Sequence, residues 1–575
     1  MTVRRLLAAC TAALTLLTAA PASAHGGDRY RNPVSAGFAD TFADPVIIQG
    51  NDKFFYAYGT TDPLREGEKT PHRIPIARSS DLVNWKYTGD AFTAGQLPPY
   101  ARSTAALWAP EVRRIGNRWV MYVTVTETEP DGGSAIGVAT APSPAGPWTF
   151  AAEPAVPPRA APGGGWWWTF DPAQLTTPDG THWLYYGSYF GGIWVSRLSP
   201  DGLRITGEPT RVAVDNKFEG AYVVRRSGWY YLFASSANCC AGPTTGYSVS
   251  VGRSRSPLGP FVDRDGQSLN VSRAGGTPVV APNGNRWVGT GHNGLITDRA
   301  GQDWLVYHAI DRSDPYLDEP FGINERPMLL DRLDWIGGWP AVNAGAWASE
   351  TAMPAPGRRV GPVRPVPVPQ PGRALPAYSD EFSGALGPAW DFVRPDAAAT
   401  VSGGQLRWPV QGADLTGDSN SAGVLLRDAP AGSWIAETRI RLGLGEDTVR
   451  NFQQAGLIAY VDDDQFARLS TVAIWNTRQV EFGKEMPYAG TTSYGGTIAG
   501  TPGLDTTWLR LAHRVDPGNG EHEYRAGVSR DGRTWTWGGV WTLPAGTAPR
   551  IGLIAHGGAE PAVTAEFDYL RFSRW

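Results

Sequence analysis

One aromatic strand pattern recurs five times within the first 350 residues, and its period limits what this chain can become. The copies read Phe54-Phe-Tyr-Ala-Tyr-Gly-Thr, Trp119-Val-Met-Tyr-Val-Thr, Trp183-Leu-Tyr-Tyr-Gly-Ser, Trp229-Tyr-Tyr-Leu-Phe-Ala-Ser and Trp304-Leu-Val-Tyr-His-Ala. Four of them follow an acidic residue in a recurring setting: Asp44 in Ala-Asp-Pro, Glu111 in Trp-Ala-Pro-Glu, Asp171 in Phe-Asp-Pro and Glu219 in Phe-Glu-Gly. The fifth follows His292 in Gly-His-Asn. Intervals of about 45 to 75 residues are too long for most solenoids and suit the blades of a propeller. An acid at the start of several blades points several carboxylates at one central cavity.

Composition agrees with short strands and many turns. Charged residues are 18% of 575, aromatics 11%, and the chain holds 70 glycines and 48 prolines. This predicts an all-β protein. A net charge of −4 gives no reason to expect nucleic acid or an anionic membrane as partner. The N-terminus reads as a secretory signal: Arg4-Arg5, an apolar stretch from Leu6 to Ala20, and Ala22-Ser-Ala24 as a small-residue site, with cleavage after Ala24. Leu7-Ala-Ala-Cys10 imitates a lipoprotein box, but most of the apolar stretch follows Cys10 rather than preceding it. No other segment is apolar and long enough to span a bilayer, and the exported chain is expected to act as a monomer. The remaining cysteines, Cys239 and Cys240, are adjacent; they form either a vicinal disulfide or two thiols in a tight loop.

The repeats fill residues 25–350 behind a signal at 1–24. Residues 351–376 hold eight prolines, including Pro354, Pro365, Pro369 and Pro376, and read as a semi-rigid spacer. Residues 377–575 differ in grain. Runs such as Ser433-Trp-Ile-Ala-Glu-Thr-Arg-Ile-Arg-Leu442 and Trp508-Leu-Arg-Leu-Ala-His513 alternate apolar and polar side chains and suggest a two-sheet sandwich.

Hydrolysis of a glycosidic bond with inversion needs a protonated carboxyl to deliver a proton to the leaving oxygen. It also needs an ionised carboxylate to activate water on the opposite face. A third acid nearby raises the first one's pKa by like-charge repulsion. Asp44, Asp171 and Glu219, one per blade, fit these needs. The series Ala43-Asp44-Pro45, Trp108-Ala-Pro-Glu111, Phe170-Asp171-Pro172 and Glu219-Gly-Ala-Tyr222 resembles the catalytic motifs of glycoside hydrolase family 43, the five-bladed inverting enzymes. Ser79-Ser-Asp-Leu-Val-Asn-Trp85 and Asp334-Trp-Ile-Gly-Gly-Trp-Pro340 are also similar to family segments. The resemblance implies that Asp44 is general base, Glu219 general acid, and Asp171 the residue that orients the acid and tunes its pKa. Glu111 reads as structural.

Tyr186-Gly-Ser-Tyr-Phe-Gly-Gly-Ile193, Cys239-Cys240 before Tyr247-Ser-Val-Ser-Val-Gly-Arg253, and Gly291-His-Asn293 with Asp303-Trp-Leu-Val-Tyr-His308 resemble the arabinan-degrading branch. There a histidine corresponding to His292 lies on the axis and helps hold a hydrated metal, often calcium; by residue type alone His292 is equally a core histidine. Gly163-Gly-Gly-Trp-Trp-Trp168 departs from that branch. Trp108, Trp168, Tyr189 and Arg326 are candidate substrate contacts, the tryptophans being sugar platforms or packing. Ser529-Arg-Asp-Gly-Arg-Thr-Trp535 matches an Asp-box of sialidase propellers, but it occurs once and reads as a hairpin turn. Asp380-Glu-Phe-Ser-Gly384, Trp390 and Ala455-Gly-Leu-Ile-Ala-Tyr-Val-Asp-Asp-Asp464 resemble a concanavalin A-like sandwich. The expectation is a five-bladed β-propeller followed by that sandwich, acting on a polysaccharide or oligosaccharide. Exo-α-L-arabinofuranosidase is the first reading. Endo-arabinanase, β-xylosidase, β-D-galactofuranosidase and a non-catalytic carbohydrate-binding protein are the alternatives.

Overall fold

The computed structural model describes residues 28–129, 132–318, 320–358, 361 and 363–575, so the expected signal peptide lies outside the described residues. The chain is all-β. Its first 350 residues form chiefly three four-stranded antiparallel sheets, here units 1 to 3, and one eight-stranded sheet whose two antiparallel halves, units 4 and 5, meet at the parallel pair Ser248 and Thr290. Their first strands are Val46–Gln49, Leu107–Ile115, Ala173–Thr176, Phe218–Arg226 and Trp287–Thr297. The predicted aromatic runs supply the second strand of every unit: Phe55–Tyr58, Arg118–Val125, His182–Ser188, Trp229–Ser236 and Asp303–Asp311. These second strands are buried on both faces, which is why they read as continuous apolar runs rather than as alternation.

The first strands pack beside one another in sequence, and that of unit 5 packs beside that of unit 1. Between units lie shared cores; Tyr58, Met121, Trp148, Phe233, Tyr307 and Trp347 belong to one of them. The segment after Tyr30 fastens unit 5 from outside. Asn32 binds the Leu330 backbone through both its amide atoms, Val34 N–H donates to Met328 O, and Phe42 N–H donates to Arg326 O. Arg29–Tyr30 pairs antiparallel with Met353–Pro354, so the two ends of this region meet.

Residues beyond 390 build two seven-stranded antiparallel sheets that share one core, with Trp408, Trp434, Leu457, Phe482 and Trp541 buried between them. The proline-rich stretch before them is tied down at its end: Gly372 N–H donates to Arg574 O (2.6 Å) and Leu375 N–H to Phe572 O (2.8 Å). Of the two readings for the adjacent cysteines, the bridge is the one present, Cys239 being bonded to Cys240.

Candidate active site

Each unit enters its first strand, or bulges within it, through one residue in the left-handed region: Asp44 (φ 51°), Ala109 (46°), Asp171 (54°), Gly220 (58°) and His292 (48°). For a non-glycine residue this conformation costs roughly 1–3 kcal/mol and persists only where neighbours hold it. The holding bonds come from the far end of the aromatic strand in the preceding unit. Thr60 Oγ1 accepts Ala109 N–H (3.0 Å), Thr124 Oγ1 accepts Asp171 N–H (3.0 Å), and Ser235 Oγ accepts His292 N–H (2.9 Å). His308 Nδ1 accepts Asp44 N–H (3.2 Å), which carries the series from unit 5 back to unit 1.

Unit 4 departs from this scheme, and the departure is where the acids meet. Gly220 N–H donates to the Asp171 carboxylate (2.9 Å) instead, leaving Ser188, at the clasp position, to donate to Glu219 Oε2 (3.2 Å). The register also sorts the acids. Asp44 and Asp171 sit at the left-handed position and Glu219 one residue before it. Glu111 lies two residues after, because the counterpart of Asp44 in unit 2 is Ala109. Glu111, read as structural from the sequence, is set apart from the other three acids by this offset.

Around Asp44 stand a guanidinium, a donor hydroxyl and two imidazoles whose own protonation burial disfavours. Thr60 Oγ1 donates to Oδ2 (2.5 Å), while Oδ1 lies 3.3 Å from His292 Nδ1, 3.3 Å from His308 Nδ1 and 3.5 Å from Arg326 Nη1. Burial alone would raise this carboxyl, but His292, Arg326 and His308 together hold it well below the usual range. Arg326 also reaches Asp62 (3.4 Å), a fourth carboxyl, which burial pushes up to about 6. Across the site the sign reverses. Burial raises Asp171 well above the carboxylate range, and the charges of Glu219 and Asp44 add to the rise. Burial also raises Glu219, against hydrogen bonds from Tyr247 and Ser188 that favour its ionised form. Asp171 and Glu219 thus act as a coupled pair that keeps a proton at a pH where Asp44 is ionised.

An aromatic wall borders this cluster. Trp168 stacks on Phe170 (centroids 5.3 Å apart) and meets Phe190 edge-on (4.6 Å), while Trp108 meets Phe170 edge-on (5.9 Å). Trp108, Trp168 and Phe190 each stay more than a third exposed, so these indoles offer free faces rather than core packing. Tyr189 adjoins the wall. Glu111 is buried, lies 2.9 Å from Arg113 and accepts Gln174 N–H (3.3 Å), a structural setting. Sequence reading missed Thr60, Asp62, Ser188, Tyr247 and His308. The hydroxyl residue ending four aromatic runs, replaced by His308 in the fifth, was the available signal.

Calcium takes six to eight oxygen ligands, yet His292 and His308 have one carboxylate, Asp44, within ion-pair distance, and no cluster of three metal-ligating side chains occurs among the described residues. The donor set does not fit direct coordination. The buried, partnerless amide of Asn293 and Nε2 of His308 instead fit bound water.

The family model "Glycosyl hydrolases family 43" matches residues 30–340, more than half of the chain. The chain belongs to glycosyl hydrolases family 43. As a family 43 member it is an O-glycosidase by class, and it is similar to several named proteins. The extracellular exo-α-(1→5)-L-arabinofuranosidase ArbA of Cellvibrio japonicus is 31% identical over 313 residues, covering 49% of this chain and 86% of that protein. The extracellular endo-α-(1→5)-L-arabinanase 1 of Bacillus subtilis is 27% identical over 309 residues, covering 52% and 86%. Among solved structures, the Cellvibrio cellulosa α-L-arabinanase complexed with arabinohexaose is 28% identical, covers 53% of this chain and 96% of its own, and has a TM-score of 0.45. The family 43 protein BlXynB of Bacillus licheniformis is 18% identical, covers 95% and 100%, and has a TM-score of 0.42.

Proposed function

We propose that this family 43 chain is a secreted, inverting glycosidase that removes α-L-arabinofuranosyl units from the ends of arabinan, with units 1 to 5 as the blades of a five-bladed propeller. The supporting observation is the opposed electrostatics of the site: one carboxyl held ionised by His292, Arg326 and His308, facing a buried pair that retains a proton. Asp44 takes a proton from water as that water attacks the anomeric carbon. Glu219 gives its proton to the glycosidic oxygen as the bond to it breaks, and Asp171 keeps Glu219 protonated beforehand. Arg326 and Thr60 orient the base. Secretion rests on the N-terminal pattern and on relatives named extracellular. Residues 377–575 are read as a concanavalin A-like domain behind a linker at 351–376. An ion at His292 belongs to this reading only as a hydrated ion held through water.

Exo action is supported by the Cellvibrio relative, which is named an exo-α-(1→5)-L-arabinofuranosidase. Endo-arabinanase is the second reading, supported by the Bacillus relative. Incubation with p-nitrophenyl furanosides and pentosides and with debranched arabinan, products followed in time, tests both. Arabinose alone from the outset supports exo action, early oligosaccharides support endo action, and binding without cleavage supports a carbohydrate-binding protein. Glu219→Gln should abolish cleavage of arabinan; parent-rate turnover would refute the acid assignment.

A further inference from the structure

The C-terminal sheets touch the ring on both sides of the proposed acid. The hairpin Thr477–Tyr488/Thr491–Gly500 makes this contact, together with Asn476 just before it. Asn476 Nδ2 donates to Asp215 Oδ1 (2.8 Å), Asn216 Nδ2 donates to Asn476 Oδ1 (2.7 Å), and Gln479 Nε2 donates to Asn216 O (3.2 Å). Asn216 is three residues before Glu219, and its own N–H donates to Tyr189 O (2.7 Å). On the other side Ser493 Oγ meets Thr244 Oγ1 (2.8 Å) and donates to Ala241 O (3.2 Å). Gly246 and Gly496 pass so closely that a Cβ on Gly246 would collide with the Gly496 carbonyl. This second contact leads directly into Tyr247, whose hydroxyl bonds to Glu219.

Glu481 lies between the two contacts. Side chains of a strand alternate, so Glu481 shares the face of Gln479, two residues before it, and its side chain lies over Gly496, the residue against Gly246. Its carboxylate is preset: Tyr494 Oη donates to Oε2 (2.8 Å), and the buried Arg468 donates to Tyr494 Oη (2.9 Å). Oε1 has no hydrogen-bond partner among the described residues. Burial raises the Tyr189 phenol to about 12, with the charges of Glu481 and Glu219 adding to the rise. Tyr189 is thus a protonated hydroxyl lying within the field of both carboxylates.

The geometry points to Glu481 as a specificity-determining residue that, with Tyr189, binds hydroxyls of the sugar on the leaving side of the scissile bond. This rests on the function proposed above. A general acid stands beside the oxygen that departs, so groups beyond Glu219 and away from Asp44 face the leaving sugar. An oriented carboxylate with an open oxygen accepts sugar hydroxyls, and such charge-assisted bonds discriminate strongly against a partner lacking them.

The test compares Glu481→Ala and Glu481→Gln with the parent on α-1,5-linked arabinotriose and on p-nitrophenyl α-L-arabinofuranoside, whose leaving group carries no sugar hydroxyls. Expected is a fall in kcat/KM of about 10- to 100-fold for Glu481→Ala on the trisaccharide, with the aryl substrate within about twofold of the parent. Tyr494→Phe, which releases the carboxylate, should give a smaller loss of the same selectivity. Equal losses on both substrates would assign Glu481 a structural role and overturn the inference, as would unchanged turnover of the trisaccharide. A parent inert on every furanoside overturns the functional reading and this inference with it.

Discussion

Replacing Thr60 by valine tests the clasp that ties unit 1 to unit 2 and orients the base. Valine matches the shape of threonine at this buried site, so no cavity opens and only hydrogen bonds are lost. Two are lost together: the donation to Asp44 Oδ2 (2.5 Å) and the acceptance of Ala109 N–H (3.0 Å). An orphaned buried amide costs about 1–3 kcal/mol, and a bond to a charged group contributes about 1.5–3 kcal/mol. Asp44 keeps Arg326 and the histidines, so the lower part of the combined range applies, about 3 kcal/mol. At roughly 2 °C per kcal/mol for a large domain, the melting temperature should fall by about 6 °C. Thr60→Ser, which keeps the hydroxyl, should cost only about 1 kcal/mol. Activity responds separately. Loss of a donor to its ionised form raises Asp44 toward the ordinary range, so the acid limb of the pH–rate profile moves to higher pH. A slack base should also lower kcat/KM by about 100-fold. Calorimetry and a pH series on an aryl furanoside measure both effects. A valine variant melting within about 1 °C of the parent, with the parent profile, would show that the clasp does not support the base.

Glu111 should make stability fall as pH rises. Burial pushes it up to about 7, with Arg113 opposing, against a usual 4.5; the folded state therefore binds the proton more tightly, and stability is lost between about pH 4.5 and 7, by about 3 kcal/mol in all. Glu111→Gln cannot ionise, so its melting temperature should decline less from pH 5 to pH 8; parallel curves for parent and variant would count against the assignment. Trp168→Ala should raise KM on arabinan about 2- to 10-fold by removing a stacking face, and an unchanged KM would reduce the residue to packing. Dialysis against a chelator should leave the fold intact and release no tightly bound calcium, read by elemental analysis and melting; stoichiometric calcium with a large stability loss would contradict the donor set at His292.

The strand repeats were legible because burial on both faces gives an uninterrupted aromatic run that little else produces. Asp44, Asp171 and Glu219 were legible because each stands against a turn signal. Glu111 reads as structural from the sequence, and the aligned dipeptides Asp44-Pro45, Ala109-Pro110 and Asp171-Pro172 agree, since they place alanine opposite the aspartates. Thr60, Ser188 and Tyr247 escaped because hydroxyls at strand ends are common and their partners lie in other units. Asp62 carries no local mark, since its relation to Arg326 spans 264 positions. Nothing local marks Glu481, whose place follows from how two β regions distant in sequence meet.

The antiparallel pairing of Arg29–Tyr30 with Met353–Pro354 brings the start and finish of the ring to within neighbouring-strand distance, about 5 Å. A chain whose ends lie that close has no privileged origin. A short peptide bridging residues 28 and 355 would let this region be opened at an exposed turn such as the one at Gly116, where even an added side chain meets nothing. The same units in the same cyclic order would then begin elsewhere, and the C-terminal sheets could be grafted at another unit or left off. Such permuted forms would separate what the ring does by itself from what it does only beside its companion sheets.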